Sequence, residues 1–197
     1  PFWLAGWYVN PKQVQSALDA GAAGVQVGTA FSLCDESGMR EDLKKRMLRK
    51  VMDEEAQVFT SPLASPTGFP FKVAQLEGTL SEPKAYEVRN RICDLGFLRI
   101  LYKREDGSVG YRCASEPVDM FVKKGGAVED TVNRSCLCNN LTATAGFPQI
   151  RKDGYVEQPI ITSGDDLVAV GQFLKDGKTS YSAEDVISYL LGPFLRP

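Results

Sequence analysis

An α/β fold is predicted for the start of this chain, on three observations. Two short apolar runs, Phe2-Trp3-Leu4-Ala5 and Ala23 to Val27, read as buried strands; the second carries two β-branched residues and no charge. Between them lies a helix pattern with both ends marked: Asn10 as N-cap, Pro11 at the first helical position and Gly21 as the glycine just past the end. Each strand run gives way to a glycine, Gly6 and Gly28. The order strand, loop, helix, strand is one βαβ unit, whose strands run parallel and whose glycine-bearing ends lie side by side.

Along the chain, Val14, Ala17 and Leu18 fall at i, i+3 and i+4 and give the first helix one apolar face. A glycine at position 28 lets a ligand approach backbone N–H groups, and Thr29 adds a hydroxyl donor. An α/β barrel holds a phosphate in this way, at the C-terminal ends of its last strands. From the residues alone, the start of the chain is therefore the phosphate-binding end of an α/β barrel.

Cys34 to Gly38 is a polar loop, and Arg40 to about Ala56 is the strongest helix, with Leu43, Met47, Leu48 and Val51 as its stripe. Its basic run (Lys44, Lys45, Arg46, Arg49, Lys50) reads as a solvated face balanced by Asp53, Glu54 and Glu55, in preference to an anion-binding surface. Pro62, Pro66 and Pro70 forbid regular helix from Ser61 to Pro70, leaving a linker or a lid. Ser81-Glu82-Pro83 opens a helix to about Arg91. Asp106-Gly107 between Leu98–Tyr102 and Val109–Arg112 is a hairpin signal, with an irregular loop as the alternative. Ser115 is expected to cap a helix over Glu116–Lys124, stopped by Gly125-Gly126. Cys136 to Ala145 reads as a buried helix ending at Gly146, and Gly164 to about Lys175 as an amphipathic one. Ser182 to Asp185 resembles a capping box, with Asp in place of Glu, opening a last helix that stops at Gly192-Pro193.

The totals bound the function. A net charge of −2 gives no support for nucleic acid or an anionic membrane surface as partner. No apolar run approaches the roughly 18 residues of a membrane span, and the N-terminus has no signal-peptide pattern. Five cysteines, an odd number without framework spacing, read as reduced thiols of a cytoplasmic protein. The chain has no histidine, which excludes Ser/His/Asp and Cys/His nucleophile arrangements. Cys113, Cys136 and Cys138 include a Cys-x-Cys, but the spacing is not the usual one for zinc and no histidine completes a set, so no metal ligand is assigned. Asp165-Asp166 and Glu129-Asp130 sit beside helix-start or turn signals and read as capping and surface charge.

Pro1 to Gly6, Gly21 to Phe31 and Glu36-Ser37-Gly38 resemble the end of the barrel in the nitronate monooxygenase family, once called 2-nitropropane dioxygenases. The similarity continues through Ser65 to Lys72, Cys93-Asp94-Leu95-Gly96, Gly110-Tyr111-Arg112-Cys113 and Cys136-Leu137-Cys138-Asn139, as in longer bacterial members with an extended C-terminal region. The resemblance implies that residues 1–58 are the last two βα units of an FMN-binding TIM (β/α)8 barrel and that residues 59–197 are an extension of helices and loops. It implies FMN as cofactor, contacted by Gly6, Gln26, Val27, Gly28 and Thr29, and oxidation of alkyl nitronates or nitroalkanes to carbonyl compounds and nitrite with O2. A barrel takes about 250 residues, so the chain is expected to be the C-terminal fragment of a larger protein, with the remainder of the barrel as its partner and no activity alone. The family's proposed base, a histidine from an earlier barrel segment, has no counterpart here, so no catalytic residue is assigned. The family usually has a second glycine where this chain has Trp7, whose indole either crowds the expected phosphate position or forces another loop path. The alternatives are an FMN-dependent enoyl reductase of the same barrel class and an inert folding or assembly fragment.

Overall fold

The structure is a computed structural model describing residues 1–195. The chain folds as two compact units: Pro1–Val58 together with the segment from Ser163 onward, and Phe59–Thr162. The stretch assigned from sequence to one C-terminal extension is thus divided at Ser163.

In the first unit, β1 (Trp3–Ala5), α1 (Pro11–Asp19) and β2 (Gly24–Gln26) form the expected βαβ arrangement. β1 and β2 pair in parallel, with Leu4 opposite Val25 and Ala5 opposite Gln26. Asn10 Oδ1 accepts the Gln13 N–H at 3.1 Å, and Gly21 closes the helix at φ +85°. Val14 and Ala17 are buried, while Leu18 is exposed. The expectation of buried strands is corrected: the side chain-bearing surface of Trp3 is 61% exposed, and Phe2 is exposed too. Parallel strands are buried where helices cover both faces of a wide sheet; here every sheet has two strands and no closed barrel forms among the described residues.

α2 (Thr29–Leu33) and α3 (Glu41–Met52) follow. α3 buries Leu43, Met47, Leu48 and Val51 as predicted, but ends at Met52, with Glu54 in the left-handed region at φ +59°. α3 packs on a 3₁₀ helix, Asp165–Phe173, where an α-helix was expected. Leu167, Val170 and Phe173 are its buried apolar residues, spaced by three. That is the 3₁₀ period, and it turns Val168 to the surface. Gly171 lies close to Val51: an added Cβ would stand 3.4 Å from its side chain. The last helix, α7 (Ala183–Leu195), packs on α1 and runs through Pro193 instead of stopping at Gly192. Its capping box is reciprocal: Ser182 Oγ accepts the Asp185 N–H at 3.1 Å, and Asp185 Oδ2 accepts the Ser182 N–H at 2.8 Å. Buried Tyr181 anchors this segment through its hydroxyl, which donates to the Ala30 carbonyl at 2.6 Å, and through Phe173, whose ring centroid is 5.0 Å away.

The second unit is less regular than the helix-rich extension expected. β3 (Val58–Ser61) leads into it and pairs with β4 (Phe71–Ala74), so the proline-punctuated loop joins two strands of one sheet. β5 (Ile100–Lys103) and β6 (Val109–Arg112) form the predicted antiparallel hairpin, with Gly107 at φ +82° in its turn. The helices are short: α4 (Pro83–Glu87), α5 (Val118–Lys123), a 3₁₀ turn at Glu129–Thr131, and α6 (Leu137–Thr144), which ends before Gly146 as expected. Ser115 does not cap α5; its hydroxyl donates to the Ser135 carbonyl at 2.7 Å. A small core of Ala64, Val73, Leu80, Leu137 and Ile160 is bordered by Phe71, Leu98 and Leu141.

Short elements leave many carbonyls without ladder partners, and arginines supply the donors. Arg91 donates to the carbonyls of Ala114, Glu116 and Thr131, Arg134 to those of Leu63 and Ser65, and Arg89 to that of Arg134. No helix among the described residues is long and apolar enough to cross a membrane.

Candidate functional site

The pairing of Ala5 with Gln26 brings the chain out of both strands on the same side, so Gly6 and Val27-Gly28 leave the sheet next to one another. Gly6 has φ +90°, a conformation that selects glycine. Trp7 follows at φ +65°, unusual for a bulky residue, with its indole exposed. A Cβ added at Gly6 or Gly28 would meet nothing within 4 Å. Close packing of the chain on itself therefore does not account for either glycine. Gln26 and Gly28 are exposed and Val27 is half-buried.

Thr29 differs from the other four. It is buried, and its Oγ1 donates to Asp166 Oδ1 at 2.6 Å while accepting the Gly164 N–H at 3.0 Å. Gly164 is a close approach: an added Cβ would stand 2.8 Å from Thr29 Oγ1 and also collide with Asp166. Asp166 is therefore not the surface charge expected of the Asp165-Asp166 pair. Its partner is over a hundred residues earlier in sequence, and no local pattern marks the pairing. Glu129-Asp130, by contrast, is exposed at the start of its 3₁₀ turn, as expected.

The surrounding loop is braced by buried side chains. Lys44 is only 4% exposed, and its Nζ donates to the carbonyls of Cys34 (3.2 Å), Asp35 (2.8 Å) and Ser37 (3.4 Å) and pairs with Glu41 at 3.2 Å. The basic run on α3 is thus not wholly a solvated face. Glu36 accepts the Ala183 N–H at 2.8 Å, capping α7, and that hydrogen bond holds its carboxyl below the usual range. α2 has a single turn, and the first turn of α1 is closed by Asn10, while Gln13 accepts the Val9 N–H at 3.2 Å. A groove of about 670 Å3 lies between the start of α1 and the end of α7, lined by Asn10, Lys12, Gln15, Gln172 and Tyr189.

In the second unit, Arg151 binds Asp94 through both guanidinium nitrogens (2.7 and 2.8 Å) and Glu157 at 2.9 Å. Glu157 is 2% exposed and also accepts from Asn140 at 3.0 Å. Hydrogen bonds from Arg151, then from Asn139, hold the Asp94 carboxyl below its usual range. This set joins α6 to the strand-poor segments around it and needs no ligand to explain it.

No curated protein and no solved structure matches the chain. Residues 1–67 match the family model for nitronate monooxygenase; this segment, which carries β1, α1, β2 and all five candidate cofactor contacts, is by that match related to the nitronate monooxygenase family.

Proposed function

We propose that this chain, together with the remainder of its barrel, forms a flavin-dependent oxidoreductase of the nitronate monooxygenase type, oxidising alkyl nitronates to carbonyl compounds and nitrite with FMN and O2, and that the chain alone is inactive. Residues 1–58 supply the phosphate end of the flavin site in this reading. The observation that carries it is the register of β1 and β2, which sets two open glycines side by side inside the segment matched by the family model. When bound, FMN accepts electrons from the nitronate and passes them to O2.

The backbone positions fit a phosphate. Gly6 and Gly28 leave room for its oxygens, and Gln26 and Val27 border the same edge. The Thr29 side chain does not fit as arranged, because its proton is directed at Asp166 and a carboxylate beside a phosphate dianion is repulsive. The Thr29 contribution in this reading is its backbone N–H. With no histidine in the chain, removal of the substrate proton is assigned to no residue here.

The test is an FMN titration of the chain followed by flavin absorbance, with nitrite release from an alkyl nitronate read in the presence of the remainder of the barrel. A saturable spectral change, lost in Gly28→Val, is expected. Gly28 has φ −106° and open space around it, so valine is accommodated by the fold and a loss reports crowding of the ligand. Equal spectral change in both proteins overturns the placement of the phosphate. Reduction of an enoyl thioester without nitrite release overturns the reaction.

A further inference from the structure

Four of the five cysteines, Cys93, Cys113, Cys136 and Cys138, lie in the second unit on three separate segments, and none is in a disulfide. Side-chain hydrogen bonds tie those segments together. Asn139 Nδ2 donates to the Ile92 carbonyl at 3.2 Å and to Asp94 at 2.7 Å, pinning both neighbours of Cys93 to the first turn of α6, where Cys138 sits. The Ser115–Ser135 bond sets the turn that starts at Cys113 beside the residue preceding Cys136. These bonds bring the segment of Cys93 to that of Cys138, and the segment of Cys113 to that of Cys136.

Two further observations point to a ligand. Arg91, partly buried, directs its hydrogen bonds to three carbonyls, of which that of Ala114 adjoins Cys113, and makes no ion pair among the described residues. Cys138 also lines an apolar cavity of about 420 Å3, with Phe71, Phe97, Leu98 and Leu141, which gives access to the group. Among the described residues no three Cys, Asp or Glu side chains gather closely enough to hold a single metal ion. A tetrahedral zinc with sulfur at about 2.3 Å is therefore not preformed. Thiols that neighbour one another without converging on one point suit a wider, polynuclear guest held by four cysteines.

We propose that Cys93, Cys113, Cys136 and Cys138 ligate an iron–sulfur cluster, with Arg91 offsetting its negative charge. Each iron–thiolate bond replaces an S–H bond, and the proton goes to solvent; no cysteine is oxidised. Because each ligand must lose its proton, binding tightens as pH rises. The inference is independent of the reaction proposed above.

The test is anaerobic reconstitution of the whole chain with iron salts and sulfide, followed by desalting and measurement of bound iron, acid-labile sulfide and visible charge-transfer absorption. Equal iron and sulfide are expected, with retention falling as the pH is lowered. Cys138→Ser and Cys93→Ala are expected to lower retained iron about tenfold or more, by analogy with lost ligand-shell groups. Cys34→Ala, in the other unit, retains the wild-type amount. The circular dichroism spectra of the variants check that they fold. No retained iron and sulfide in the wild type, equal retention in all variants, or uptake of zinc with no uptake of iron and sulfide each overturns the cluster.

Discussion

The two compact units satisfy their polar groups in opposite ways. In the first, α1, α3 and α7 are long enough to satisfy much of their own backbone, and ends are closed by nearby residues: Asn10 with Gln13 on α1, Ser182 with Asp185 on α7. Its core is a stripe on α3 against a 3₁₀ stripe, Met47 and Leu48 with Leu167 and Val170. In the second, no helix exceeds the eight residues of α6, and arginines reach across the chain to carbonyls and buried carboxylates. Where regular structure is short, backbone groups need distant donors, and guanidinium offers five in a fixed fork. Stability then rests on a few long side chains in the second unit and on packed apolar surface in the first.

Three substitutions break or sharpen that contrast. The largest effect is expected for Arg151→Ala, which strands buried Glu157 and removes the main partner of Asp94. A loss of about 3 kcal/mol in urea unfolding is expected from breaking such a buried pair; a loss below about 1 kcal/mol would put the arginine network on the surface footing of an exposed ion pair. A pH series sharpens the same test. The folded-state carboxyl of Asp94 lies below its unfolded value, so its stabilisation is present above about pH 3.9 and is lost as pH falls through the folded value. In Arg151→Ala that contribution is reduced at neutral pH, and the remaining acid dependence of stability is shallower.

The next effect tests a long-range polar contact through which the first unit resembles the second. Thr29→Val keeps the side-chain shape and leaves Asp166 and the Gly164 N–H without their partner. About 2 kcal/mol is expected for stranding a buried group, read by thermal unfolding; an unchanged midpoint would show that Asp166 finds another partner or water. The smallest effect is expected at the local cap. Ser182→Ala removes one half of the reciprocal box on α7 and costs about 1 kcal/mol, which an equilibrium unfolding curve resolves; a cost as large as that of Arg151→Ala would erase the distinction between the units.

The sequence was informative where structure depends on a few neighbouring residues. Asn10-Pro11 and Gly21 bracket α1, Asp106-Gly107 turns the β5–β6 hairpin, Ser182 and Asp185 cap α7, and Leu43, Met47 and Val51 face inward on α3. Each is set by backbone dihedrals, a capping bond or helical periodicity within a span of one to three turns. Gly6 and Gly28 were likewise legible as candidate contacts, since an open glycine at a strand end is a local feature.

Other features depend on which surfaces meet. Nothing near Thr29 announces Asp166, and nothing on the charged face of α3 distinguishes Lys44, buried under three carbonyls, from exposed Lys45. Cys93 carried no signal of its own, because its association with Cys113, Cys136 and Cys138 runs through Asn139 and Ser115. By itself the sequence determined the βαβ start, its glycine ends, the hairpin and the helix caps, because short-range sterics and hydrogen bonds decide them. Tertiary structure alone decided the exposure of the two strands, the return of the segment after Ser163 to the first unit, the partners of Thr29 and Lys44, and the tying together of the segments that carry Cys93, Cys113, Cys136 and Cys138. Those outcomes depend on burial and on donors brought from distant parts of the chain, which no local pattern encodes.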